Sequence, residues 1–354
     1  MAQRLAWPDI ARGLSIFGVV ILHVTLAVPN GAQTQLFYYN GLFGLLRMPV
    51  FFLVAGFFAR KALGMTLGEV IRKRLWFLLV PYFIWAPVEL WTKQQEMHYG
   101  MGNEMPSLFF YIWHILCGQN TYWFLYALAI YTFILCASKH LQRKGKIVLL
   151  ICAIITPSIV EYYAIVNEQS SLLPIIANFS YLAVFLLGVY LRPIIERYAA
   201  TALSISGIGI ALASLALGIV LGWNDIVYGG FSQQIIQTIL FIPSAIALSV
   251  LLSKVPVLST CVQFVGRNTL VVYLGHQLAL TLVFGFLFRY RGFAFSLEAD
   301  NLVDSTYFWI VLCTVVAFGG GVVMHWLSKV PVIGWTIKPP ALPVRNYPKT
   351  IPNA

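Results

Sequence analysis

Charged side chains are scarce in this 354-residue chain: they make up 10% of it, and only 12 residues are acidic. A soluble domain ordinarily carries about 25% charged residues, so a water-exposed globule is excluded. The alternation of apolar and polar residues that a membrane-crossing strand needs is also missing, which excludes a transmembrane barrel. Cysteine is sparse. Cys117, Cys136, Cys152, Cys261 and Cys313 show neither metal-ligand spacing nor a disulfide framework, and they read as small hydrophobes. Glycine-rich phosphate loops, serine nucleophile elbows and His/Asp/Glu clusters with metal spacing are absent too, so no metal is expected.

What fills the chain instead is hydrocarbon, at 60% of residues. It comes in continuous runs, with room for about ten helices of roughly 20 residues. The expected fold is an all-α polytopic membrane protein of about ten transmembrane helices. Its spans lie near 10–28, 36–59, 75–92, 119–138, 147–166, 173–191, 202–222, 233–252, 269–288 and 307–327. Segment 106–118 is too short to span and reads as an interfacial or re-entrant piece. The start resembles a secretory signal, with Arg4 ahead of an apolar stretch. Arg12 and His23 inside that stretch argue instead for a retained first helix. One transmembrane domain is expected over 1–330, followed by a short cytoplasmic tail over 331–354, irregular around Pro339, Pro340 and Pro343.

The net charge of +11 does not indicate nucleic acid, because the cations form no single patch. They fall in short clusters between the apolar runs. With the N-terminus inside, the cytoplasmic segments collect all of the basic residues but Arg47, Lys93, Arg289 and Arg291. That bias puts both termini in the cytoplasm. The composition suggests a cell membrane of the bacterial inner-membrane type.

Polar residues within a bilayer cost several kcal/mol and are functional candidates by default. Arg12 and His23 are 11 residues apart on the first helix. That spacing is three turns plus about 20°, so they share one face with a rise of about 16 Å between them. Asp9 can pair with Arg12 on the same face. Arg47 lies about 20 Å from the Arg60 cluster, at a depth similar to that of His23. The two together suggest a polar cavity, although Arg47 could also serve as a purely structural partner. Arg72 and Arg74 precede the third span, as a topology signal or as a phosphate clamp. Tyr122 and Trp123 start the fourth span near the outer face, and His276 lies about 10 Å into the ninth.

Five segments carry a resemblance. They are Asp9-Ile10-Ala11-Arg12-Gly13 followed by His23; Arg47-Met48-Pro49-Val50-Phe51-Phe52-Leu53-Val54-Ala55-Gly56-Phe57; Arg72-Lys73-Arg74-Leu75 with Pro81-Tyr82; Tyr122-Trp123-Phe124-Leu125; and Gly266-Arg267-Asn268-Thr269-Leu270 with Tyr273 and His276. In this order the chain resembles the membrane-bound acyltransferase family 3. The family's members move acyl groups, usually acetyl, onto sugars or lipids outside the cytoplasm. Ala55 stands where Ser is common in the family, and Tyr122 follows Thr121 where many members carry His-Leu before Trp.

The resemblance implies acyl-CoA as co-substrate, with acetyl-CoA first, and no permanently bound cofactor. Arg12, Arg72 and Arg74 would hold its phosphates, and His23 and Arg47 would be catalytic. Tyr122, Trp123 and His276 would bind a carbohydrate or lipid-linked acceptor, and Asp9 would orient Arg12. A covalent acyl-His23 intermediate competes with direct transfer. Outside this class, a secondary transporter would also suit midplane Arg and His, although no paired broken helices are evident in the sequence. A helix scaffold glued by those residues is the remaining reading.

Overall fold

A computed structural model describes residues 5–42, 44–166, 178–222 and 231–342. Arg4, Pro343, Arg345 and Lys349 lie outside the described residues. Among the described residues the regular structure is helical, with no strand and one isolated bridge between Ser296 and Ser305.

The first half comprises α1 (Trp7–Ala27), α2 (Gln35–Leu42), α3 (Gly44–Ala59), α4 (Leu67–Val70), α5 (Trp76–Met101), α6 (Leu108–Leu116) and α7 (Trp123–Ala137). There follow α8 (Arg143–Val166), α9 (Leu182–Tyr190), α10 (Arg192–Thr201), α11 (Ile205–Gly222) and α12 (Phe231–Leu252). The last elements are α13 (Pro256–Arg267), α14 (Thr269–Ala279), α15 (Thr306–Leu327) and α16 (Ile333–Ile337). Two π-helical stretches, Ile71–Leu75 and Leu280–Gly285, join α4 to α5 and extend α14.

Among the described residues, six helices are long and apolar enough to cross a membrane, or up to eight if each of two bent pairs counts as one span. The ten expected segments each contain helix, but α7 has 15 residues and α9 has nine, too short by length alone. The bent pairs are α10 with α11, at 116°, and α13 with α14, at 79°. The sequence reading detected no broken helices. Both breaks follow basic limbs, after Arg197 and at Arg267, rather than falling in the apolar stretches where a transporter's discontinuous helices bind cargo. Segment 106–118 holds only the nine-residue α6. The expected irregular tail begins instead with a docked turn: Ile337 is fully buried, and the indole nitrogens of Trp76 and Trp85 donate to Pro340 O and Thr336 Oγ1.

α1 is the hub, packed against α3, α12, α13, α14 and α15. Its apolar run starts with Pro8 in the first turn, where a missing N–H costs nothing. Ser15 and Thr25 return their hydroxyls to the carbonyls of Ala11 and Ile21, so neither leaves a polar group bare in hydrocarbon. Helices of such a protein gain little from the hydrophobic effect against lipid and rely on close packing between small residues. Three crossings with glycine on both helices supply it. Gly13 lies against Val262 and Gly266 against Asp9 where α1 meets α13, Gly56 lies against Phe185 and Gly188 against Leu53 where α3 meets α9, and Gly275 and Gly320 face each other between α14 and α15. At each of these glycines a Cβ would overlap backbone atoms of the opposite helix.

Gly319, beside Gly320 on α15, has open space where its Cβ would stand. Gly320→Ala is therefore expected to cost about 1–3 kcal/mol through overpacking, and Gly319→Ala to be neutral or slightly stabilising. Thermal unfolding of both variants in one lipid environment checks this. Equal losses would show that the crossing is not the tight point.

Candidate functional site

The polar residues of the apolar helices collect at two levels along α1. At its N-terminal end, Arg12 lies over the Phe58 ring, 4.8 Å from the centroid, while Arg74 Nη2 donates to Phe58 O at 3.5 Å. Three segments distant in sequence thus bring two of the expected phosphate-binding cations to one residue. A capping box between Thr66 and Glu69 starts α4, and Glu69 also takes Lys73 at 2.7 Å. Lys73 is thereby tied down, whereas Arg72 is half-buried beside it on the π-helical turn. Such turns insert one extra residue per turn and recur at functional sites.

Asp9, expected to orient Arg12 within α1, also reaches outside its own helix: its Oδ2 accepts from Arg267 Nε at 3.1 Å, across to α13. The Gly13–Gly266 crossing explains this, because it brings the two backbones into contact beside Asp9. Gln263 supports Arg267 from the next turn, at 2.6 Å.

Above Arg12 the same face of α1 continues through Ile16 and Val19 to His23. Arg12, Ile16 and Val19 line a cavity of about 200 Å³, closed by residues of α3, α5, α7 and α14 that include Phe51, Leu78, Phe124 and Tyr273. Apart from Arg12 at one end, Thr269 and the Tyr273 hydroxyl, its walls are apolar. Val19 is one helical turn below His23.

His23 meets His276 of α14, with the ring centroids 5.1 Å apart and the planes inclined by 59°. His276 is fully buried. Its Nδ1 lies 3.1 Å from Val272 O, and because a carbonyl only accepts, Nδ1 is the donor there. That Nε2 has no hydrogen-bond partner among the described residues. Arg47 stands within electrostatic reach of both His23 and Tyr181. Its side chain runs along Gly18, where a Cβ would collide with it. His276 and Arg47, from two other helices, are therefore both brought toward His23.

Tyr122 was expected among the acceptor-binding residues. It is fully enclosed, and its hydroxyl donates to Leu274 O, two residues before His276. Tyr273 donates in turn to Thr121 O at 2.6 Å and receives the Phe124 N–H. Trp123 packs on the other side of α7, against Tyr181 and Phe52.

The sequence reading passed over Glu89, although a carboxylate within the third apolar run was visible there. Glu89 is 2% exposed on α5 and accepts the Thr121 hydroxyl at 2.9 Å. Glu96 was also missed. It is buried about two turns further along the same face of α5 and gathers Lys93, Arg289 and the Tyr290 hydroxyl. Lys93 and Arg289, two of the four basic residues that the charge bias did not assign to the cytoplasm, thus share one carboxylate. No group of three or more metal-ligating side chains exists among the described residues.

Thr121→Val removes the hydroxyl donated to a buried carboxylate and should cost about 1–3 kcal/mol. In a Glu89→Leu background the same change should cost far less. Thermal unfolding of the four proteins measures the coupling, and an equal cost in both backgrounds would show that the bond carries no energy.

No curated protein and no solved structure matches this chain. A family model described as an acyltransferase domain matches residues 5–326, which include both levels of polar residues and every helix that builds them. On that match the chain, a multi-pass membrane protein, belongs to the acyltransferase 3 family.

Proposed function

We propose that this protein transfers an acyl group, acetyl first among candidates, from cytoplasmic acyl-CoA to a hydroxyl on an envelope carbohydrate or lipid. Both termini then face the cytoplasm of a bacterial plasma membrane, with Arg12, Arg72 and Arg74 at the inner surface. The observation that carries the proposal is the cavity along α1. It begins at Arg12, is walled by hydrocarbon, and ends one turn below His23. A phosphate-rich head with a long thin arm fits that gradient, since guanidinium groups hold phosphate at the mouth while the thioester travels inward. The rise of about 16 Å from Arg12 to His23 matches such an arm.

In the reaction, the acceptor hydroxyl gives its proton to a ring nitrogen of His23 as its oxygen attacks the thioester carbonyl. The carbon–sulfur bond breaks, and the CoA thiolate takes the proton back from His23. His276 offers its bare Nε2 as acceptor for the other His23 N–H, holding the tautomer as a carboxylate does in hydrolytic triads. Tyr122 acts as a positioning residue, because its bond to Leu274 O fixes the turn of α14 that carries His276. Arg47 faces the developing oxyanion or the acceptor.

Purified protein in nanodiscs with labelled acetyl-CoA tests this division of roles. The Arg72→Ala/Arg74→Ala variant should lose donor binding. His23→Ala should bind the donor and lose turnover by about 10²–10⁴-fold, the usual worth of a general base. His276→Gln should lower kcat with KM little changed and shift its pH profile. Turnover that survives His23→Ala would sink the general-base assignment, and an unchanged profile in His276→Gln would remove the pairing.

A further inference from the structure

α1 separates two cavities, and only the one rooted at Arg12 is used by the reaction above. On its opposite side a groove of about 360 Å³ lies between α1, α2, α3 and α12. Its α1 wall runs from Ala11 to Ile21, ten residues or about 15 Å. The groove is therefore long and parallel to the helix axis, and so roughly parallel to the lipid chains around a spanning α1. Nearly all of its wall is hydrocarbon. Leu248 at one end and Tyr39 at the other are exposed, so it opens sideways toward the bilayer.

Its polarity is confined to a few groups. Ser15 and Ser249 are both spent on backbone carbonyls of their own helices. Asn40, 8% exposed, donates to Gly18 O at 3.1 Å. Arg47 is different. Its Nη1 is buried with no hydrogen-bond partner among the described residues, although its side chain lines the groove. An unpartnered guanidinium nitrogen at this depth is costly, and an anion in the groove would relieve that cost. Beside it, α2 presents Tyr38 and Tyr39, both more than half exposed, the residue type that collects at headgroup level. A hydrocarbon slot that ends at a cation and two tyrosines has the polarity profile of one lipid: chain along the helix, phosphate at the end.

We propose that this groove binds an anionic lipid carrying a phosphate next to a hydroxylated head, with one chain along Leu14 and Leu248 and the phosphate against Arg47. Because Arg47 also neighbours His23, the head would lie beside the reactive ring while acyl-CoA reaches it from the other side of α1. The acceptor hydroxyl is then that of a lipid. This last step rests on the acyl-transfer reading, whereas the binding site does not.

Phosphatidylglycerol with a photoreactive group on one chain supplies the probe, and phosphatidylcholine labelled in the same way supplies the comparison. Both are tested with full-length protein in nanodiscs. Wild type should be labelled on α1 and α12 around Leu14 and Leu248, with phosphatidylglycerol preferred. Arg47→Gln should reduce that preference by about tenfold, as expected for one charge-assisted bond. Leu14→Trp and Leu248→Trp, which fill the groove from opposite walls, should each suppress labelling there, and acetyl-CoA binding by the same samples reports that they are folded. Equal labelling by the two lipids, or labelling that survives both tryptophans, would overturn the site. CoA release should be faster in phosphatidylglycerol than in phosphatidylcholine discs. Equal release with the lipid preference intact would overturn the acceptor assignment alone, and absence of acetyl-CoA binding would strike the acyl-transfer reading instead.

Discussion

A polar group inside a bilayer has no water to turn to, so each one must be matched by the protein or by what the protein binds. This constraint organises the molecule. Most of its buried polar groups are paired: Glu96 with Lys93, Arg289 and Tyr290, Glu89 with Thr121, and Asp9 with Arg267. Tyr122, Tyr131 and Tyr273 all donate to backbone carbonyls. Ten buried side-chain polar atoms lack a partner among the described residues, and two of them, His276 Nε2 and Arg47 Nη1, belong to side chains near His23. Bare groups gathered at one ring are what a site awaiting substrate requires.

Close helix approach brings these groups together. The Gly275–Gly320 crossing sets the depth of α14 against α15, and the bond from Tyr122 to Leu274 O sets the turn that presents His276. Gly18 has no side chain, which leaves space for Arg47 to lie along α1. Gly13 and Gly266 bring Asp9 within reach of Arg267. Positioning in this protein is thus a matter of which residues are small as much as of which are polar.

Much of this was legible in the amino-acid order. The apolar runs gave the helices, and the spacing from Arg12 to His23 gave the stripe that the cavity follows, since both depend only on the period of a helix. The depth of Arg47 relative to His23 followed from the same arithmetic. Partners far apart in the chain were not legible: Asp9 with Arg267, and Thr121 with Glu89, depend on helix order and rotation, which periodicity does not encode. Glu89 was readable as an intramembrane carboxylate, because it lies inside the third apolar run. The orientation of Tyr122 was hidden, since its place at a helix start does not say which backbone carbonyl its hydroxyl will reach. Among the described residues six to eight helices qualify as spans against the ten expected, because α7 and α9 are shorter than their apolar runs and two helices bend at basic limbs.

The central claim is that one donor molecule lies along α1 with its phosphates at Arg12, Arg72 and Arg74 and its acyl carbon at His23. An acyl-CoA with a photoreactive group at the end of its acyl chain tests this most directly, with labelled residues located by peptide mass spectrometry. The account predicts labels on Val19, Tyr273 and His276, lost when unlabelled acetyl-CoA competes. Labels confined to the segment around Arg72, with none near His23, would contradict it.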